Sequence, residues 1–131
     1  MKIKVSEASG KVLEYLVAIA RGFVVYHNAT LNGCVMEGFW VSGYYPGDSN
    51  SWVSLNVLKH STSWALGGPI IEQELIEILL SPKGHVRAIV NRFDLSRKVI
   101  VQHGPTPLIA AMRCLVVSKM GYEVEVPDDL V

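Results

Sequence analysis

Residues 106–120 form the segment that most constrains how this chain can fold. Thr106 can cap the free amides of a first helical turn, Pro107 suits that turn because it has no amide to leave unpaired, and Gly121 marks the end. Apolar side chains cover almost the whole circumference of the predicted helix, and Arg113 is its one mid-helix charge. Such a helix must be buried on more than one side, by the rest of the chain or by a partner subunit.

An N-terminal helix is predicted over residues 6–21, with Ser6 as its N-cap and Gly22 at its end. Its apolar residues share one side. The residues opposite that side are Lys11, Glu14, Ala18 and Arg21. This separation indicates a helix with one face on a core.

Shorter segments have the alternation, or the β-branched and aromatic content, of strands. Residues 75–80 and 85–91 are predicted to form a hairpin around a Pro/Gly turn, and residues 43–51 a surface loop. The other predicted strands are residues 2–5, 23–27, 34–41, 52–58, 99–102 and 123–126. We therefore predict an α+β fold, a short antiparallel sheet packed against an N-terminal and a C-terminal helix, in one domain over residues 1–131.

The composition indicates the cellular compartment and limits the classes of partner. The 131 residues carry 12 Lys and Arg against 12 Asp and Glu, so no overall field draws the protein to nucleic acid or to an acidic membrane. The two cysteines form no CxxC pair, and the start of the chain lacks the apolar core of a signal peptide. No apolar run approaches the roughly 20 residues that span a bilayer. We expect a cytoplasmic protein with reduced thiols and no membrane contact.

Charge is distributed unevenly along the chain. Four acids and no base lie in residues 122–131, whereas five bases and only one acid lie in residues 83–98. The five bases are Lys83, Arg87, Arg92, Arg97 and Lys98. Two solvated surfaces are the simpler interpretation. The alternative is a patch that contacts nucleic-acid phosphates, although no aromatic platform accompanies these bases.

Four blocks of the sequence resemble the NinX-like family of small proteins from lambdoid phages and enterobacterial prophages. They are MKIKVS at the start, STSWALGGPIIE at 61–72, GPTPLIAAMRC at 104–114 and SKMGYEVEVP at 118–127. The resemblance implies a phage or prophage origin, a bacterial cytoplasm and a small domain in which helices sandwich a short antiparallel sheet. It carries over no catalytic residues. Ser63 and Leu66 stand where the family pattern leads us to expect more polar residues, which counts against a polar site centred on the Trp64 turn.

The segment from 61 to 72 is one candidate binding site. We expect a capped turn leading into a short helix at residues 69–74, with Pro69 in its first turn. The amides of Gly67 and Gly68 could then face an anion, although a tight turn that lets Trp64 pack is the simpler interpretation. Glu72 is a candidate partner for the buried Arg113.

The entrance of the C-terminal helix is the second candidate site. His103 lies there, and the pKa of a titratable group at a helix end can be tuned by its surroundings. The predicted binding residues of the two sites are Trp64, Gly67, Gly68, Glu72, His103, Thr106 and Arg113. The four histidines are widely scattered and form no metal-binding motif, so we predict no metal and no cofactor.

These observations favour a non-catalytic binding or adaptor module that acts on an unknown host or phage protein, with a homodimer as its simplest form. A nucleic-acid-associated accessory factor is one alternative, through the bases of residues 83–98. An enzyme with a site near Trp64 and Arg113 is the other. It has the least support, because no set of nucleophile, base and orienting group is visible.

Overall fold

Strands and helices alternate along the computed structural model, which describes residues 1–48, 50–91 and 99–130. The helices are α1 (Gly10–Ala20), α2 (Trp64–Gln73) and α3 (Pro107–Met120). The strands are β1 (Lys2–Lys4), β2 (Val24–Leu31), β3 (Cys34–Ser42), β4 (Trp52–Ser54), β5 (Ile76–Leu80), β6 (Val86–Asn91), β7 (Val99–Gly104) and β8 (Glu123–Glu125). None of the helices in these ranges is long and apolar enough to cross a membrane.

The α+β class is confirmed, but the strands of the described ranges form three small antiparallel sheets instead of the one short sheet expected. Their strand orders are β1–β8, β2–β3–β4 and β5–β6–β7. The sheets are separate because helices lie between them. α3 packs on the β5–β6–β7 sheet, and α1 packs on α3 and contacts β2.

α3 is the centre of the core, as its sequence predicts. Leu108 and every residue of 110–117 are buried. The cap forms as expected, since the Ile109 amide donates to Thr106 Oγ1 over 3.2 Å. The thiol of Cys114 lies among these apolar side chains, and burial raises its pKa to about 11, as expected for a small core residue.

The prediction for α1 is wrong at its start and on its second face. Residues Val5–Glu7 form a 3-10 turn, Ser9 occupies the N-cap, and the helix begins at Gly10. Glu14 and Ala18, which were assigned to the polar side, are both buried. α1 is covered on two sides because it contacts α3 as well as β2 and the 3-10 turn at Leu55–Val57. That same turn replaces the second half of the strand predicted at residues 52–58.

α2 starts earlier than predicted, at Trp64, so Pro69 lies inside the helix and not in its first turn. Gly67 is the point of closest packing. A Cβ atom added there would overlap the carbonyl oxygen of His60 and lie 2.6 Å from Leu108 Cδ2 on α3. The helix therefore forms across Pro69 because it packs against α3, which outweighs the single amide that proline lacks.

The two adjacent glycines of α2 provide a matched test of this packing. Gly67→Ala should destabilise the protein by about 1–3 kcal/mol because the added methyl group overlaps backbone and a core leucine. Gly68→Ala should be neutral or stabilising by up to about 1 kcal/mol, since the nearest atom to its added Cβ is Trp64 Cε3 at 3.9 Å. Urea unfolding followed by circular dichroism measures both, and equal stabilities would contradict the packing described.

Candidate functional site

A buried carboxylate on α1, Glu14, gathers the polar groups that precede α2. Its Oε2 accepts the backbone amide of His60 at 2.6 Å and His60 Nδ1 at 3.0 Å. Its Oε1 accepts the backbone amide of Ser61 at 2.9 Å and, through a short bond, the Ser61 hydroxyl. Four donors on one carboxylate satisfy its acceptor sites, which compensates the cost of burying the charge.

His60 extends this arrangement to the loop after β3. Its ring is fully buried, and its Nε2 lies 3.2 Å from the hydroxyl of Tyr44. With Nδ1–H donating to Glu14, a neutral imidazole accepts the Tyr44 proton at Nε2, so a single tautomer fits all the partners. We refer to Glu14, Tyr44, His60 and Ser61 as the Glu14 cluster.

The Glu14 cluster is arranged for holding and not for covalent catalysis. The Ser61 hydroxyl donates to Glu14 and not to His60, so the imidazole does not activate it as a nucleophile. A cleft of about 270 Å³ lies beside the cluster and is lined by Lys11, Glu14, Lys59 and Ser61 among others. His60 is not part of that lining, and the Glu14 carboxylate, which is, has both oxygens occupied by donors of the fold.

Arg113 is likewise engaged by the backbone. Its Nε donates to the carbonyl oxygen of Ala8 over 2.8 Å, and its Nη1 donates to the carbonyl oxygen of His103 over 2.9 Å. Burial lowers the pKa of its guanidinium group. The expected pair with Glu72 does not form, because Glu72 is exposed on α2. Arg113 instead ties α3 to the segment before α1 and to β7.

The other predicted binding residues lie on three different elements of the fold. Trp64 is 56% exposed at the start of α2, so it does not pack in the core. Gly67 and Gly68 lie within α2, where the amide of Gly67 donates to the carbonyl oxygen of Ser63 over 2.8 Å. That amide is therefore not available to an anion. Thr106 caps α3, and the structure connects His103 to Arg113 through its backbone carbonyl.

The outer face of the β5–β6–β7 sheet, turned away from α3, combines apolar and basic side chains. Cross-strand pairing places Leu79, Arg87 and His103 in one row. A cleft of about 330 Å³ lies over this row and is lined by Leu79, Leu80, Ser81, His85, Arg87 and His103. Lys83 is also exposed, whereas Arg92, Arg97 and Lys98 lie outside the described residues.

Comparison with known proteins identifies the family. A family model described as "Bacteriophage P22, NinX" matches residues 4–119. The chain belongs to the NinX family. The resemblance inferred from four sequence blocks is thereby confirmed, and the match also spans the middle of the chain, where no resemblance was evident. A search of curated proteins found no match.

Within the parts of this NinX protein that the structure describes, no group of three or more His, Cys, Asp or Glu residues could hold a metal ion. Sequence reasoning did not find the Glu14 cluster. Glu14 lies 46 residues from His60, and on its helix it occupies the side that looked polar. The one local signal was that Glu14 is the only acid of α1. A lone acid on a largely apolar helix is a candidate for pairing with donors inside the fold.

Loss of the Glu14 charge should destabilise the protein strongly. Glu14→Gln keeps the shape of the side chain but turns an N–H₂ group toward amides that need an acceptor, so we expect a loss of about 3 kcal/mol in the free energy of unfolding. Glu7→Gln, at an exposed acid on the preceding 3-10 turn, is the matched control. Urea unfolding measures both variants. Equal stabilities would show that the buried hydrogen bonds contribute little.

Proposed function

We propose that this NinX protein is a non-catalytic binding module of the bacterial cytoplasm, and that it captures an extended acidic segment of a partner protein along β5. The observation that carries this proposal is an open sheet edge beside a row of basic side chains. The buried carboxylate, imidazole and guanidinium groups support a non-catalytic role, because each is engaged by groups of the fold itself.

β5 lies at one edge of its sheet. The Ser81 amide donates to the His85 carbonyl over 2.9 Å, so these two residues form a hydrogen-bonded pair. From there, successive residue pairs of the hairpin alternate between non-hydrogen-bonded and hydrogen-bonded. The N–H and C=O groups of Ile76, Ile78 and Leu80 therefore point away from β6. No strand of the described ranges pairs with them. Such an edge can accept an added strand.

The opposite edge of this sheet is partly occupied. The carbonyl of His103 on β7 accepts Arg113 Nη1, and β7 contacts the 3-10 turn at Val5–Glu7. β5 is therefore the less obstructed side for a peptide that extends the sheet. Leu80, which is 69% exposed at the end of β5, adds apolar contact area there.

The side chains near β5 define the chemistry of the partner. Arg87 forms no ion pair with the described residues, so its charge is available to an acidic group, and the imidazoles of His85 and His103 lie beside it in the same cleft. A second copy of β5 would bring only Glu77, which favours an acidic partner over self-association. Single-stranded nucleic acid is less well matched, because this face carries leucine and valine in place of aromatic stacking groups.

A labelled peptide of alternating Glu and Val tests the proposal, with an alternating Lys and Val peptide as its control. Fluorescence anisotropy should show binding of the acidic peptide only, weakening as salt is added. Arg87→Gln should weaken it about fivefold, whereas Arg87→Lys retains most of the affinity.

A second pair of variants tests strand addition separately from charge. Leu80→Pro removes an outward amide and should weaken the acidic peptide about tenfold, whereas Leu80→Val retains the amide. Equal affinity for the acidic and basic peptides would overturn the proposal. So would tighter binding of a single-stranded oligonucleotide, which would favour the nucleic-acid alternative.

A further inference from the structure

The outer face of the β2–β3–β4 sheet carries three aromatic side chains that the core does not use. In the register of the sheet, Tyr26 lies opposite Trp40, and Trp52 lies opposite Ser42. The alternate residues of these strands, Phe39, Val41 and Val53, are buried against the core. Tyr26, Trp40 and Trp52 therefore share the opposite side, which we call the aromatic face.

Two of these rings join into one surface. Tyr26 on β2 and Trp52 on β4 are separated by β3, yet their ring centroids lie 5.2 Å apart at an interplanar angle of 49°. They reach each other because β3 presents the small side chain of Ser42 beside Trp52. Tyr26 remains 42% exposed, so a ligand has access to its ring.

The aromatic face also offers free hydrogen-bond donors. The indole N–H of Trp40 is occupied, because it donates to the carbonyl oxygen of Glu37 over 2.8 Å. The hydroxyl of Tyr26 and the indole N–H of Trp52 have no hydrogen-bond partner among the described residues. Two donors, one on the exposed ring of Tyr26 and one on the half-buried ring of Trp52, suit a ligand that combines flat apolar groups with bare carbonyl oxygens.

The lack of cationic side chains makes nucleic acid a poor ligand for this face. Residues 22–58 contain no lysine or arginine, and their acids are Glu37 and Asp48. A phosphate backbone would find no cation on this sheet, although aromatic stacking on nucleic acid normally accompanies a positively charged groove. The aromatic face therefore suits a ligand that is uncharged where it binds.

We propose that the aromatic face binds a proline-rich segment in the polyproline II conformation. Such a segment has no internal hydrogen bonds, so its carbonyl oxygens are free to accept from Tyr26 and Trp52. Its pyrrolidine rings pack on aromatic side chains, and its stiffness lowers the entropy cost of binding. This goes beyond the proposed function, because it gives the protein a second binding surface with different chemistry and makes it an adaptor.

A decaproline peptide tests the proposal by NMR titration of the labelled protein. The three tryptophans provide an internal comparison, since each gives one indole N–H resonance. The Trp52 resonance should shift on titration, whereas that of Trp64, which lies on α2, should not. The absence of any shift at millimolar peptide would overturn the proposal.

Variants assign the binding to the aromatic face. Trp52→Val should weaken decaproline about tenfold, and Trp64→Leu should leave its affinity unchanged. Tyr26→Phe retains the ring and the fold but loses one donor, so it should weaken binding about threefold even if Trp52→Val fails to fold. Unchanged affinity in Tyr26→Phe together with tighter binding of cellohexaose would overturn the proposal in favour of a carbohydrate site.

One further variant separates the two proposals. Leu80→Pro, which blocks strand addition at β5, should leave decaproline binding unchanged. Loss of decaproline binding in Leu80→Pro would contradict a separate site on the aromatic face. Failure of the acidic peptide to bind leaves the decaproline result standing, because different sheets carry the two surfaces.

Discussion

The hydrogen bonds between Glu14 and the backbone of His60 and Ser61 are the constraint on which the arrangement of this protein depends. They fix the segment before α2 to the middle of α1. The carbonyl of His60 then lies against Gly67, whose lack of a side chain lets α2 approach Leu108 on α3. Through Tyr44, the same imidazole orients the loop that follows β3. One carboxylate therefore sets the position of two helices and of a loop.

The buried charged groups of Glu14 and Arg113 serve the fold. A buried carboxylate that lost its donors, or a buried guanidinium that lost its acceptors, would cost several kcal/mol, so these groups cannot easily be released to act on a substrate. Arg113 links α3 to β7 through a side-chain hydrogen bond, as Glu14 links α1 to the segment that precedes α2. The two surfaces that we propose for binding lie outside, on two sheet faces of different character. One is apolar and basic beside an open strand edge, and the other is aromatic and without cations.

Local signals predicted the parts of the fold that depend on neighbouring residues. Thr106, Pro107 and Gly121 delimit α3 because caps and stops act within one turn, and the Pro/Gly turn delimits the β5–β6 hairpin. The start of α2 could not be predicted in this way, since contact with α3 outweighs the local effect of Pro69. The burial of Glu14 was missed for the same reason, because its partners are distant in sequence.

The two candidate surfaces likewise depend partly on local sequence signals and partly on contacts between residues distant in sequence. The basic residues of the β6 region were evident from the sequence, but the open edge of β5 depends on which strands pair and which edge Arg113 contacts. The aromatic face depends on the register that places Tyr26 opposite Trp40 and Trp52 opposite Ser42, and that register includes a bulge between His27 and Ala29. Residues from three strands can be assigned to one face only once their pairing is known.

Native-state hydrogen exchange at the amides of His60 and Ser61 tests the central role of Glu14 most directly. If the Glu14 cluster is part of the cooperative core, both amides should exchange only with global unfolding, at the same free energy as amides in the middle of α3. Exchange of these two amides at the rate of the exposed turn at residues 45–48 would contradict it. That result would mean that the segment opens independently, and that Glu14 does not hold the helices together.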